Sequence, residues 1–187
     1  EIIQDGRGIY SGTIPALGID DTSSLYSIDI AHAKIHSKLH YYVKNFSSLN
    51  SGNTLSFAMT IPSGSKNPHI TFSYEGTSQT EFRIFENVVI SGGVAVIPFN
   101  NFREKTNSSS MTLVSNPAIT STGTQIWAES RGKIGATPSA GNSVGTGNRE
   151  DEIVYSTGSI YLFQFKSVDD NNIIDYHGKW YEHTRIN

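Results

Sequence analysis

Residues Asp151 to Glu182 constrain the fold more than any other stretch, because their side chains suit a pleated sheet and little else. Val154, Tyr155, Ile160, Tyr161, Leu162, Phe163 and Phe165 fill its first part, with almost no helix formers among them. β-Branched and aromatic side chains fit a half-buried pleated surface. Asp169-Asp170-Asn171-Asn172 follows, and such residues tolerate left-handed backbone and bond their own main chain, so a reversal is expected there. From Ile173 to Glu182, Ile174, Tyr176 and Trp180 fall on one face while Asp175, His177 and Lys179 fall on the other. That is the period of two of a sheet with one wet side. The stretch is expected to form a hairpin that closes a β domain.

The same texture begins near Leu39. Strands are expected at about Leu39 to Phe46, Thr54 to Ile61, His69 to Glu75, Thr80 to Phe85, Val88 to Pro98, Met111 to Ser115, Thr124 to Glu129, Ile153 to Ser156, Ser159 to Lys166 and Ile173 to Glu182. A spacing of about 8 to 12 residues with turn clusters between favours a sandwich or barrel. Leu55, Phe57, Met59 and Ile61 alternate with polar or small residues, as do Ile70, Phe72 and Tyr74. Gly92-Gly93 inside an apolar run marks a bulge or hairpin turn. The fold expected is all-β, an antiparallel β-sandwich of jelly-roll-like form over residues 39–187, preceded by an extended N-terminal arm over 1–38. In that arm Ile9, Tyr10, Ile14, Leu17, Leu25 and Tyr26 are scattered among Gly, Ser and Asp without periodicity. Alone such a segment cannot offset its ordering entropy, so it is expected to lie on another surface. Ala31 to His40 has the composition for a helical turn or two.

With 187 residues, one core is the default, and no disulfide or metal is needed to hold it together. Charged residues make up 17% of the chain and the polarity comes from Ser, Thr and Asn, a surface suited to packing against other subunits. A net charge of −3 offers no basic field for a phosphate backbone, which argues against nucleic acid. The absence of Cys excludes thiol catalysis and Cys-ligated zinc. No apolar run approaches the roughly 18 residues of a membrane span.

Several patterns carry possible chemistry, each with a plainer reading. Gly141-Asn142-Ser143-Val144-Gly145 matches G-x-S-x-G, but that serine needs a strand-to-helix elbow, and here it stands in a Gly-rich run from Arg131 to Arg149. His32, His36 and His40 recur every fourth residue and would line one face of a helix long enough to hold them. Asp169 to Asn172 offers oxygens for calcium without the EF-hand spacing, and a turn explains it better. Glu75, Glu81 and Glu86 flank one expected hairpin, where paired carboxylates can run glycoside hydrolysis if held about 5 to 9 Å apart. Trp127, Tyr155, Trp180 and Tyr181 would stack sugars if exposed, although such rings are more often core.

A family resemblance adds to this. It is carried by Ile35-His36 before an aromatic-rich strand, His69-Ile70-Thr71-Phe72 and Arg83-Ile84-Phe85-Glu86. Pro98-Phe99-Asn100-Asn101 with Arg103, Asn107-Ser108-Ser109-Ser110 and Gly123-Thr124 continue it, and the late strand Ile160 to Phe165 and the terminal Trp180-Tyr181-Glu182 complete it. With these features in this order, Ile35 to Glu182 resembles a family of small bacteriophage structural proteins that sit on the head as decoration or fibre proteins. The resemblance implies a virion protein on the capsid surface, made in the host cytoplasm. It implies no enzymatic activity and no cofactor. The partners implied are the major capsid protein and further copies of the chain as a homotrimer, with no nucleic acid or membrane. On that reading Ile9, Tyr10, Ile14, Leu17, Leu25 and Tyr26 are the expected capsid or subunit contacts. The alternatives are a receptor- or carbohydrate-binding module on a tail or fibre, and a hydrolase built on the same sandwich.

Overall fold

The computed structural model describes residues 31–64, 66–104, 107–133 and 152–182 in full, and the backbone alone at 18–19, 25–26, 30, 143–144 and 183. The expected arm falls largely outside the described residues, Ile9, Tyr10, Ile14 and Leu17 included. The chain divides into two compact units, Glu1–Ala33 and Lys34–Asn187. In the first, β1 (Gly18–Ile19) and β2 (Leu25–Tyr26) form an antiparallel ribbon with Gly18 opposite Tyr26; the side chains of Leu25 and Tyr26 are outside the described residues. Helix α1 (Ile30–His36) follows, and Lys38, at a φ of 61°, brings the chain out of it in left-handed backbone.

The second unit contains β3 (His40–Leu49), β4 (Thr54–Ile61), β5 (Asn67–Gly76), β6 (Thr80–Glu86), β7 (Val89–Ser91), β8 (Val94–Val96) and β9 (Phe99–Asn100). Beyond these come β10 (Thr112–Ser115), β11 (Ala118–Ser121), β12 (Thr124–Arg131), β13 (Ser143–Val144), β14 (Ile153–Val154), β15 (Ser159–Ser167) and β16 (Asn172–His183). They build an antiparallel β-sandwich. The front sheet runs β13-β5-β16-β3-β9 with β14 also on β5, and the back sheet runs β12-β6-β15-β4-β10-β8. β3, β4, β5 and β6 alternate between the two sheets, as do β15 and β16, the habit of a jelly roll, whereas β10 and β12 lie in the back sheet with β6 and β15.

This alternation corrects the expected hairpin. β15 pairs with β4 and β6 in the back sheet, whereas β16 pairs with β3 and β5 in the front one. The segment between them is an arch from layer to layer. The same holds between β5 and β6, so Glu75 and Glu81 stand in different sheets and flank no hairpin. Because β5-β16-β3 in front repeats the order β6-β15-β4 behind, the arches 50–53, 77–79 and 168–171 lie side by side at one end of the sandwich. They bond to one another: Val168 N–H donates to the Gln79 carbonyl at 3.1 Å, Gly52 N–H to the Ser167 carbonyl at 2.9 Å, and Ser51 N–H to Asp170 Oδ1 at 2.9 Å. Four residues at about 3.3 Å each are enough to cross the roughly 10 Å between stacked sheets. Asn171, at a φ of 55°, supplies the left-handed residue that the sequence led us to expect in the turn.

The expected strand Val88 to Pro98 is also divided. Gly92 and Gly93, with φ of 62° and 97°, pass the chain from β7, which pairs with β11, to β8, which pairs with β10, so they form neither a bulge nor a hairpin. The core lies between the sheets. Tyr41, Leu55, Phe57, Met59, Ile61, Ile70, Tyr74, Phe163, Phe165, Ile174, Tyr176 and Trp180 are all buried there. Rings meet across the layers, Phe57 with Tyr176 at 4.7 Å and Phe72 with Phe163 at 4.7 Å. Gly178, opposite Phe72, leaves room for that ring, since a Cβ would stand 2.8 Å from Phe72 Cε2. A second, smaller cluster forms on the outer side of the back sheet, where Ile90 and Ile119 of the β7-β11 ribbon pack over Ala58, Val88 and Leu162.

Candidate functional site

The outer face of the front sheet carries the polar set that the alternation of β16 placed there. Lys179 stands opposite Tyr42 of β3, and His177 opposite Lys44. On the far side of β3, Phe99 of β9 stands opposite Tyr42 and their rings meet at 5.7 Å. His177 presents its edge to Tyr42 at 6.1 Å. The chain leaving β9 brings the Arg103 guanidinium over the Phe99 ring at 5.5 Å. Together Tyr42, Lys44, Asn101, Arg103, His177 and Lys179 border an open depression of about 430 Å³.

Two features fix this basin from beneath. Asn100 is buried; its side-chain amide donates to the Lys38 carbonyl at 2.9 Å, and its Oδ1 accepts from Phe102 N–H at 2.8 Å, which folds the Asn100 to Arg103 segment back onto β3. Asn101 Nδ2 lies 2.9 Å from His40 Nδ1, and the Asn101 N–H donates to the His40 carbonyl at 3.0 Å. Burial pushes His40 down to about 4, helped by Lys179 and His177. His177 is lowered in the same way, by burial first and then by Lys179 and Lys44, with Asp175 partly opposing. The field in the basin is cationic even with both imidazoles neutral.

A second polar cluster lies on β5 and β16. Glu152 Oε1 stands 2.7 Å from His69 Nδ1 and accepts from the Tyr181 hydroxyl at 2.9 Å, while the His69 and Tyr181 rings stack at 4.6 Å. The residue types match an acid-base set. However, Tyr181 is buried and one carboxylate oxygen serves both partners, so the cluster ties the segment before β14 to the sheet. Glu182 is likewise structural. It is buried and accepts from Ser109 Oγ at 2.7 Å, Ser110 N–H at 3.0 Å and Ser110 Oγ at 2.6 Å, pinning the chain ahead of β10.

The other sequence candidates separate. α1 ends at His36 and His40 begins β3, so the three histidines do not line one helix face. No group of three or more His, Asp or Glu among the described residues is arranged to hold a metal. Ser143 stands in β13, antiparallel to β5, and not at the end of a parallel strand. Glu81 is paired with Arg83 at 2.7 Å. Tyr155, Trp180 and Tyr181 are buried and offer no open stacking face, while Trp127 is partly buried and lines a small cavity of about 30 Å³ with Tyr155, Glu129 and Arg131. The basin was missed because only half of it is patterned in sequence: His177 and Lys179 show in the alternation, but β9 is two residues long and carries no period.

No family model and no curated protein matches the chain. Among solved structures, one of infectious bursal disease virus Gx strain aligns over 92% of this chain and 47% of that one, at 11% identity. Its TM-score of 0.12 is too low to bear on fold or function.

Proposed function

We propose that the protein is a non-enzymatic structural protein of a bacteriophage virion, a decoration protein that associates with itself and with the assembled head. The observation that carries this reading is the edge formed by β8 and β9. Both strands end their sheets, on the same side of the sandwich. Between them Val94 is 70%, Ile97 77% and Phe99 48% exposed. Exposed apolar side chains along a sheet edge are a liability in a protein that stays alone, and such a patch marks a surface for contact with another chain. The low overall charge and the family resemblance of Ile35 to Glu182 point the same way. Mechanically, a protein that binds only the assembled shell stabilises it by mass action, and several weak contacts made together multiply the effect.

The test is cosedimentation with heads, paired with light scattering for oligomer size. The full chain is expected to be a trimer that sediments with heads. Removal of Glu1–Ala33 is expected to leave a folded trimer that no longer binds, because the sandwich belongs to the other compact unit. Val94→Asp with Ile97→Asp is expected to give monomers. Full-length protein that ignores heads overturns the decoration reading; binding by the truncated form overturns the role of the arm.

A further inference from the structure

Apart from assembly, the basin on the front sheet has the chemistry of a ligand site. We infer that it binds acidic saccharides, sugars bearing a carboxylate or sulfate group, with Lys44, Lys179 and Arg103 holding the anion and Tyr42 meeting the ring. The cations come first. Among the described residues, Arg83 and Arg131 are each paired with a glutamate two positions away, at 2.7 and 2.9 Å. Lys44, Lys179 and Arg103 form no ion pair with any described residue, although the chain carries a net charge of −3. Lys38 and Lys166 form no ion pair with a described residue either, so what sets Lys44, Lys179 and Arg103 apart is that they gather at one depression. Asp175 is the acidic neighbour on β16, and it stands two positions from His177.

The shape narrows the ligand. A volume of about 430 Å³ lies within the roughly 300–1,000 Å³ of small-ligand sites, and the depression is open. The partly exposed Tyr42 ring at the border of the depression, braced by Phe99, gives an apolar plane beside the charges. A sugar has both an apolar C–H face and, when acidic, a charge at its rim. Nucleic acid fits less well, because it requires a cationic track along which phosphates can follow one another. The floor is made by β3 and β16; β16 is paired on both sides, whereas β9 pairs β3 only at Tyr41 and Tyr42, so an acidic peptide is tested directly, by competition with polyglutamate.

The experiment uses the full chain on an array of sulfated, carboxylated and neutral glycans at low and high salt, followed by titration calorimetry on the best glycan. Signal is expected on acidic glycans alone and is expected to fall with salt. Lys179→Glu and Arg103→Ala should each weaken binding about tenfold or more, and Tyr42→Ser should do so without changing the charge. All of these side chains are at least partly exposed, so the thermal midpoint of each variant should stay near that of the parent. Signal on sulfated glycans only assigns the sulfate class; signal on both assigns the anion itself. Equal signal on neutral glycans, unchanged affinity in Lys179→Glu and Arg103→Ala, or equal competition by polyglutamate overturns the proposal. Lys179→Glu and Arg103→Ala are expected to sediment with heads as the parent does, so this result and the decoration reading fail separately.

Discussion

Asn172 is the side chain through which the arches can be tested. It is fully buried at the start of β16. Its amide nitrogen donates to Thr80 Oγ1 at 2.9 Å and to the Gln79 carbonyl at 3.4 Å, and its Oδ1 accepts from Ser78 N–H at 3.0 Å and the Thr77 hydroxyl at 3.3 Å. One amide thus joins the β15-β16 arch to the β5-β6 arch. Gly76 is shaped to the same knot, since a Cβ there would stand 2.5 Å from Thr80 Oγ1 and 3.2 Å from Asn172 Oδ1. Asn172→Ala removes two well-formed bonds at about 1 kcal/mol each and leaves a buried N–H without its acceptor for about 1 kcal/mol more, so about 3 kcal/mol is expected. Asn172→Asp should cost more at neutral pH, because a carboxylate in that dry position faces the Gln79 carbonyl without the amide's donors. Burial would raise the folded pKa of that carboxyl above its unfolded value of about 3.9, so the folded state would hold the proton more tightly. Stability of the Asp variant should therefore rise as the pH falls from the folded value towards the unfolded one. Urea unfolding followed by Trp fluorescence measures both, Trp180 being buried in the same unit. A loss below about 1 kcal/mol in Asn172→Ala, or an Asp variant that gains stability as pH rises, refutes the shared knot.

Two further outcomes follow from buried polar groups. Glu182→Gln keeps one acceptor oxygen but turns a donor group towards Ser110 Oγ; losing one charge-assisted bond should cost about 2 kcal/mol in urea unfolding and speed proteolysis between Asn107 and Ser110, and an unchanged midpoint would contradict it. Burial holds His40 down to about 4 in the fold, against its ordinary 6.5. Between those values the unfolded chain binds more protons, so stability should fall as pH drops through that window and level off below it. His177 contributes with the same sign. His40→Asn should flatten the slope of stability against pH without abolishing it, and an unchanged slope would remove His40 from the account.

Which residues face inward was legible, because a period of two survives any choice of strand partner. Leu55, Phe57, Met59 and Ile61 are buried, as are Ile70, Tyr74, Ile174, Tyr176 and Trp180. Partner choice was not legible. A four-residue polar turn serves a hairpin and an arch equally well, and the feature that separates them, Asn172 buried against Thr80, is a contact across 92 positions. The basin had the same fate. Lys44 and His177 meet only because β3 and β16 pair in that register, and Phe99 joins them through a strand of two residues.

The two outer faces of the sandwich differ for a reason that the strands do carry. β15 is apolar on both sides, with Tyr161, Phe163 and Phe165 inward and Ile160 and Leu162 outward. A strand of that kind must be covered twice. The β7-β11 ribbon supplies the second cover, and the back sheet is closed by the chain's own residues. β16 alternates, so its outer side asks for no cover and is available to a ligand. Phe99 of the β8-β9 edge packs against Tyr42 and Arg103 of the basin, so copies that join through that edge would set their basins at the rims of the contact. In the proposed trimer neighbouring basins would then act together. A single open site of this size binds weakly, but linked sites gain an avidity of about 10² to 10⁴ without any new contact. The same geometry predicts that monomers made by Val94→Asp with Ile97→Asp lose glycan-surface retention while keeping the solution affinity of the single basin.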